Sequence, residues 1–228
     1  MSDYPSFPKI PRLHKPVTIT EKIDGTNGLI EITRVPFGTG SADLPDGVYT
    51  VGDFTSPLGT DGLPEWEFQV RAGSRNRWLA PGADNFGFAG WVSQNAVELC
   101  NLGPGRHYGE WFGHGIQRGY GLDERRFALF NVGRWFDPRH QADDGLRENF
   151  PKAQPCPEVA TVVPVLYAGP GDDLTFAVRM CVRGLRSAGS LMVDGFPNPE
   201  GLIVYHQAGG HTYKVLLEGD DRPKGVAA

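Results

Sequence analysis

Lysine is scarce in this chain. Six lysines, at positions 9, 15, 22, 152, 214 and 224, stand against sixteen arginines. Any chemistry that needs a lysine therefore has few places to reside. Cysteine is scarcer, with only Cys100, Cys156 and Cys181. None forms a CxxC pair, which excludes a disulfide framework and a cysteine-built metal site and points to a reducing compartment. The six histidines lack HxxxH and HExxH spacing, so zinc sites of those kinds are excluded and the histidines read as structural or polar. No apolar run reaches the length of a membrane span. The opening MSDYPSFPKIPRLHKP carries no apolar stretch of a secretory leader. The expectation is a cytoplasmic protein with no membrane partner. An excess of positive charge is also missing: the net charge is -5. A module that grips nucleic acid by phosphate contacts alone is ordinarily basic, so a nucleic-acid partner must be met by a local patch.

What the chain has in quantity is Gly 31 and Pro 19. These favour short strands and turns over long helices. Residues 1–16 predict an extended arm. Val17 to Val35 reads as strand, turn, strand with Asp24-Gly25 at the turn. Val48–Phe54, Phe68–Gly73, His107–Phe112, Phe127–Val132, Val159–Leu166, Gly201–Tyr205 and Thr212–Leu217 predict further strands, the last two joined across Gly209-Gly210. Helical spacing of Phe88, Trp91, Val92, Asn95, Ala96 and Leu99 predicts a helix over 86–102, stopped by Gly103-Pro104. A second helix starts at Asp172 or Asp173, buries Leu174, Ala177, Val178, Cys181, Val182 and Leu185, and ends at Gly189. Residues 137–158 read as a long polar loop. The sum is an α+β domain of mostly antiparallel strands.

The segment Glu21-Lys22-Ile23-Asp24-Gly25-Thr26-Asn27 puts a lysine beside a turn with Asp and Gly. Lysine becomes a nucleophile when its surroundings favour the neutral amine. A triphosphate with a divalent metal could provide such surroundings, with Asp24 near the metal's water and Gly25 letting backbone approach the ligand. The same residues equally make a surface hairpin with a Lys-Asp pair.

EKIDGTN resembles motif I of the covalent nucleotidyltransferases, which comprise ATP-dependent DNA and RNA ligases and mRNA capping enzymes. Its GTN ending is most similar to the RNA-ligase branch, in particular phage enzymes that seal nicks in duplex RNA. The other motifs follow in order. Ser74-Arg75 resembles motif Ia. Tyr108-Gly109-Glu110-Trp111-Phe112-Gly113-His114-Gly115-Ile116-Gln117 resembles the extended motif III of that branch. Phe127–Val132 resembles motif IIIa, with Phe130 as the purine-stacking aromatic. Glu200-Gly201-Leu202-Ile203-Val204 resembles motif IV, and Tyr213-Lys214-Val215 resembles motif V.

The resemblance implies a nucleotidyltransferase fold, an ATP-grasp-like adenylylation domain whose mostly antiparallel sheets form a nucleotide groove. It implies ATP, with Mg2+ or Mn2+, as cofactors. Lys22 would become lysyl-AMP. Glu21, Ile23, Gly25, Asn27, Arg75 and Phe130 would line the nucleotide. Asp24, Glu110 and Glu200 would hold the metal, largely through water, and Lys214 would meet the α-phosphate. The partner would be a nucleic acid with 5′-phosphate and 3′-OH ends, RNA favoured over DNA, in a phage-infected or bacterial cell, with a repair role by analogy. A protein partner is not indicated. Two departures stand out. The family carries two alternating motif V lysines, and here the alternates are Thr212 and Leu216, with Lys224 a distant substitute. The family commonly appends an OB-fold or helical domain, and the expectation here is a single domain over 1–228 without either. DNA ligation, GTP-dependent capping and a nucleotide or RNA-end binder without turnover remain as alternatives.

Overall fold

The computed structural model describes residues 9–10, 12, 14–39, 44–53, 55–60, 62–84, 86–140 and 144–219. Most of the arm expected over 1–16, and Lys224, lie outside the described residues. In chain order the strands are β1 Val17–Lys22, β2 Thr26–Pro36, β3 Val48–Gly52, β4 Trp66–Gly73, β5 Gly105–Gly113, β6 Arg125–Leu129, β7 Trp135–Phe136, β8 Gln154–Pro155, β9 Ala160–Val162, β10 Val165–Gly169, β11 Gly201–His206 and β12 His211–Leu216. The helices are α1 Phe88–Gln94, α2 Ala96–Leu99, α3 Asp144–Arg147 and α4 Leu174–Ala188. The fold is α+β, as expected. No helix among the described residues is long and apolar enough to cross a membrane.

The chain divides into two compact units. The first comprises Met1–Lys22, Ala142–Asn149 and Pro164–Ala228; the second comprises Ile23–Gln141 and Phe150–Val163. The division falls inside EKIDGTN, between Lys22 and Ile23.

The first unit is built on an antiparallel sheet in the order β10-β1-β11-β12. Strand alternation sends Ile19, Leu202 and Val204 to one face, where they meet Ala177 of α4 in a small core. Asp173, rather than Asp172, caps α4: its carboxylate accepts the Phe176 amide hydrogen at 3.0 Å. Gly189 ends the helix at φ 83°, where a Cβ would stand 2.5 Å from the Phe196 carbonyl oxygen. Only glycine fits there.

The second unit carries a six-stranded sheet in the order β3-β4-β2-β5-β6-β9. All its pairings are antiparallel except β6 with β9. Phe88 and Trp91 of α1 pack on Trp111 and Phe127 of the sheet, with ring centroids 5.0 to 5.9 Å apart. Ile30, Val70, Val92 and Leu99 extend this core.

Three elements differ from the sequence reading. β1 and β2 are not a hairpin, because they belong to different sheets and do not pair. The Asp24-Gly25 turn carries the chain from one sheet to the next. The helix over 86–102 is broken at Asn95, whose side-chain amide donates to the Trp91 carbonyl at 2.8 Å. It continues as α2 and a 3-10 turn, Cys100–Leu102. The strand over 159–166 splits at Pro164, which has no amide hydrogen to give a ladder, into β9 and β10, one in each unit.

Candidate functional site

In the first unit, Lys22 ends β1 opposite Gly201. Its ammonium donates to Glu200 Oε2. Both side chains are half-buried, so the pair is held away from full solvent. Lys214 pairs with Ile203, and Leu216 with Gly201. Residues directly opposite in a sheet point to the same face. Lys22, Lys214, Thr212 and Leu216 therefore share one face, opposite the helix. The two positions alternating with Lys214 are on the lysine face, but one carries a hydroxyl and the other an isobutyl group.

Glu21 points the other way and is 1% exposed. Its carboxylate accepts from Ser190 Oγ at 2.6 Å and from the amides of Leu191 and Met192 at 2.7 and 3.1 Å. Its side chain thus clasps the segment that follows α4 and leads to Glu200. The sequence alone assigns Glu21 to the nucleotide and offers no role for Ser190. A buried serine just past the end of a helix has no short-range signal.

In the second unit, Gly25 sits hard against β5. A Cβ there would lie 2.4 Å from the Trp111 carbonyl oxygen and 2.9 Å from Phe112 Cβ. This explains the glycine by space. The Gly25 amide donates to Glu110 Oε1 at 3.2 Å. Asn27 pairs directly with Glu110 across β2 and β5, so the two side chains share a face. Gly109 is equally required: its Cβ would meet the Ala128 carbonyl oxygen at 2.4 Å.

Asp24 is held by two residues that the sequence reading does not include. Its carboxylate pairs with Arg118 at 3.1 Å. Its amide donates to the Tyr120 hydroxyl at 2.8 Å. Tyr120 is 1% exposed. The connection from β5 to β6 reaches this position through a series of left-handed residues: Gly113, Gly115, Gln117, Gly119 and Tyr120 all have positive φ. The G-x-G-I-Q run is therefore the start of a tightly coiled loop that brings Arg118 and Tyr120 to Asp24. The density of glycine after Gly113 is the one sequence signal that could have marked it.

Phe130 is not a core residue. It lies just past β6, is 40% exposed, and its amide donates to the Tyr108 carbonyl at 3.0 Å. Arg75 is exposed in a turn closed by the Ser74 amide on the Arg77 carbonyl at 2.8 Å. Ile23 is buried. Among the described residues, no three His, Cys, Asp or Glu side chains stand close enough together to hold a metal ion directly. Asp24 and Glu110 in the second unit, and Glu200 in the first, are each half-buried carboxylates, and a carboxylate is the hard oxygen donor that Mg2+ or Mn2+ takes directly or through water.

Two further polar groups are structural. Burial pushes the His107 imidazole below its usual range, and it bonds the Gly103 carbonyl at 2.9 Å. Burial alone would raise the Asp137 carboxyl. Hydrogen bonds from His140, Arg139 and Thr161 overcome this and hold it well below the carboxylate range.

The sequence model of the family described as RNA ligase matches residues 15–215. No curated protein matches the chain by sequence. Among solved structures, a Naegleria gruberi RNA ligase variant with ATP and Mn is 16% identical at a TM-score of 0.46, covering 88% of this chain and 48% of that one. An archaeal ATP-dependent RNA ligase is 15% identical at a TM-score of 0.45, covering 92% and 48%. The chain thus spans about half the length of these structures. The family match runs through every one of the motifs and nearly the whole chain, and the protein belongs to the RNA ligase family.

Proposed function

We propose that the protein is an ATP-dependent RNA ligase that works through a lysyl-AMP on Lys22. The observation that carries this reading is the Lys22–Glu200 contact on a sheet face shared with Lys214. Lys22 attacks as the neutral amine; Glu200 holds its side chain at the end of β1, and the cationic surroundings of a metal-bound triphosphate would favour that neutral form. Nζ then attacks the α-phosphorus in line. An N–P bond forms, the bond to the bridging oxygen breaks, and pyrophosphate leaves. Lys214 offers a positive charge to the α-phosphate oxygens. Glu110 fixes the Gly25 amide, and Arg118 and Tyr120 fix Asp24. These contacts orient the turn after the nucleophile.

Phe130, exposed beside the Glu110 row, offers a ring for the purine, and Arg75 an unshielded charge for phosphate. The family resemblance names Asp24, Glu110 and Glu200 as the carboxylates that would meet Mg2+ or Mn2+ through water, and the ion would supply charge neutralisation on the phosphates. AMP then passes to a 5′-phosphate end, and a 3′-OH displaces it to seal the strand. The GTN ending and the G-x-G-I-Q run favour RNA over DNA. The motifs of the adenylylating module are divided between the two units, and the proposed setting is the cytoplasm.

The test is incubation with Mg2+ and α-phosphate-labelled ATP followed by a denaturing gel. Wild type should carry label and Lys22→Ala none, with the fold of both checked by circular dichroism. Label persisting on Lys22→Ala would refute the nucleophile. Stoichiometric ATP binding without pyrophosphate release would favour the non-catalytic nucleotide holder, a reading supported by Leu216 standing on the lysine face. Phe130→Ala should weaken ATP binding about tenfold or more while leaving the melting temperature nearly unchanged. Unchanged affinity would remove Phe130 from the site.

A further inference from the structure

The register of the second unit arranges side chains on the Glu110 face in cross-strand rows, since directly opposite residues share a face. One row runs Ala128, Glu110, Asn27. The next runs Tyr108, Leu29, Gly73, with Phe130 beside Tyr108. The one after runs Arg106, Glu31, Arg71. Gly73 has no side chain, and the Trp78 ring covers it: a Cβ on Gly73 would lie 3.2 Å from that ring and 3.3 Å from Leu29. The Arg71 guanidinium stacks on the same indole at 4.3 Å from its centroid. The middle row is therefore a strip of rings, broken only by Leu29.

These rings are on the surface. Tyr108 is 48% exposed and Trp78 38%. Neither has a role in the nucleotide chemistry above. Large aromatics left open in a row are uncommon unless something stacks on them. Beside the strip stand Arg71, Arg75, Arg77 and Arg106, with Glu31 as the acid in their row, paired to Arg106 at 2.7 Å. In a chain of net charge -5, this is a locally positive surface interleaved with aromatics. That combination matches the chemistry of an unpaired polynucleotide strand: π-faces of bases and evenly spaced phosphates. A fully paired duplex does not fit, because its base faces are already stacked inside the helix.

We propose that this face binds a single-stranded polynucleotide, with successive bases on Tyr108 and Trp78 and its phosphates on Arg77 and Arg106. Tyr108 and Gly73 are two strands apart, roughly 10 Å, so the two rings take different bases. The strip adjoins Phe130, the proposed purine platform. It thus deepens the ligase reading, on which it rests for its purpose, by specifying an unpaired stretch of strand, as at a gap or overhang, in the substrate.

The experiment measures binding of a fluorescein-labelled twelve-residue oligouridylate by anisotropy, with lysyl-AMP formation measured in parallel on the same full-length preparations. Tyr108→Ala and Trp78→Ala should each weaken oligouridylate binding about tenfold, with lysyl-AMP formation within twofold of wild type. Tyr108→Phe should bind within twofold of wild type, since it keeps the ring. Arg77→Gln should lower the slope of log affinity against log salt by about 0.7, one phosphate contact on a single strand. Unchanged affinity in both alanine variants would overturn the proposal, as would an absence of binding by wild type. Tighter binding of a blunt duplex, or loss of adenylylation together with RNA binding in Tyr108→Ala, would also overturn it. Ring-dependent binding by a wild type that forms no lysyl-AMP would uphold the strip and refute the ligase reading instead.

Discussion

The two units place similar chemistry on unlike supports. In the first, a four-stranded sheet and one helix enclose Ile19, Leu202, Val204 and Ala177. Its reactive groups are positioned by charge: Lys22 by Glu200, and the segment before Glu200 by the buried Glu21 carboxylate. In the second, an aromatic core of Phe88, Trp91, Trp111 and Phe127 backs a six-stranded sheet. Its functional backbone is positioned chiefly by steric contact, with Gly25 and Gly109 wedged against neighbouring strands, and the Arg118–Asp24 pair and the Glu110 bond to the Gly25 amide are added to that packing. A nucleophile must exchange protons and partners during a reaction, and an ion pair permits this. A turn that only has to stay in place can be packed solid.

The comparison can be broken first through the cores. Phe127→Ala should destabilise by about 4 kcal/mol, because its rigid ring neighbours cannot collapse into the void. Leu202→Ala should cost about 3 kcal/mol. If the units open separately, the two variants will shift different parts of a thermal transition; a single shared shift would show one cooperative unit.

Glu21→Gln tests positioning by charge. The glutamine oxygen can still accept from Leu191 and Met192, but its NH2 displaces the acceptor of the Ser190 hydroxyl and the charge on all three bonds is gone, so the variant should lose about 2 kcal/mol. It should also slow lysyl-AMP formation more than it changes ATP affinity. Equal effects on both would argue for direct nucleotide contact.

Asp137 sharpens the stability of the second unit alone. Its folded pKa lies below its unfolded value of about 3.9, so its contribution is present above about pH 4 and fades as pH falls further. Asp137→Asn should therefore be less stable than wild type by about 2 kcal/mol near neutrality. The gap should close in acid. A gap independent of pH would assign the effect to packing.

The smallest expected effect is in thiol labelling. Burial pushes Cys100 and Cys156 up to about 11, and raises Cys181 as well. All three should react slowly while folded. Cys181 reports on the first unit and the others on the second, so Cys181 should label severalfold faster if the smaller core opens more readily. Equal rates would remove that distinction.

Much of this was legible in the chain. Period-two alternation marked β1 and β2, and the apolar spacing and Asp-Gly punctuation marked α4. Lys22, Asp24, Glu110 and Glu200 were recognisable because their motifs occur in order. What was not legible depended on partners far away in sequence. Asp24-Gly25 looks like a hairpin turn locally, and only β5 shows that it joins two sheets. Phe130 sits in an apolar run that by itself would read as core; the motif order marks it for the purine, and the structure leaves it 40% exposed just past β6. Arg118, Tyr120 and Ser190 gain meaning only from the residues they touch.

The sequence by itself determined which residue types could do the chemistry, because motif spacing and strand alternation are local properties with a period the chain carries in its own order. Tertiary structure alone decided which of them meet: Lys22 with Glu200, 178 positions apart, Glu21 with Ser190, and Tyr108 with Leu29 and Gly73. Sheet register sets those encounters, and register is fixed by the burial of whole faces, a property of the assembled strands rather than of any one segment.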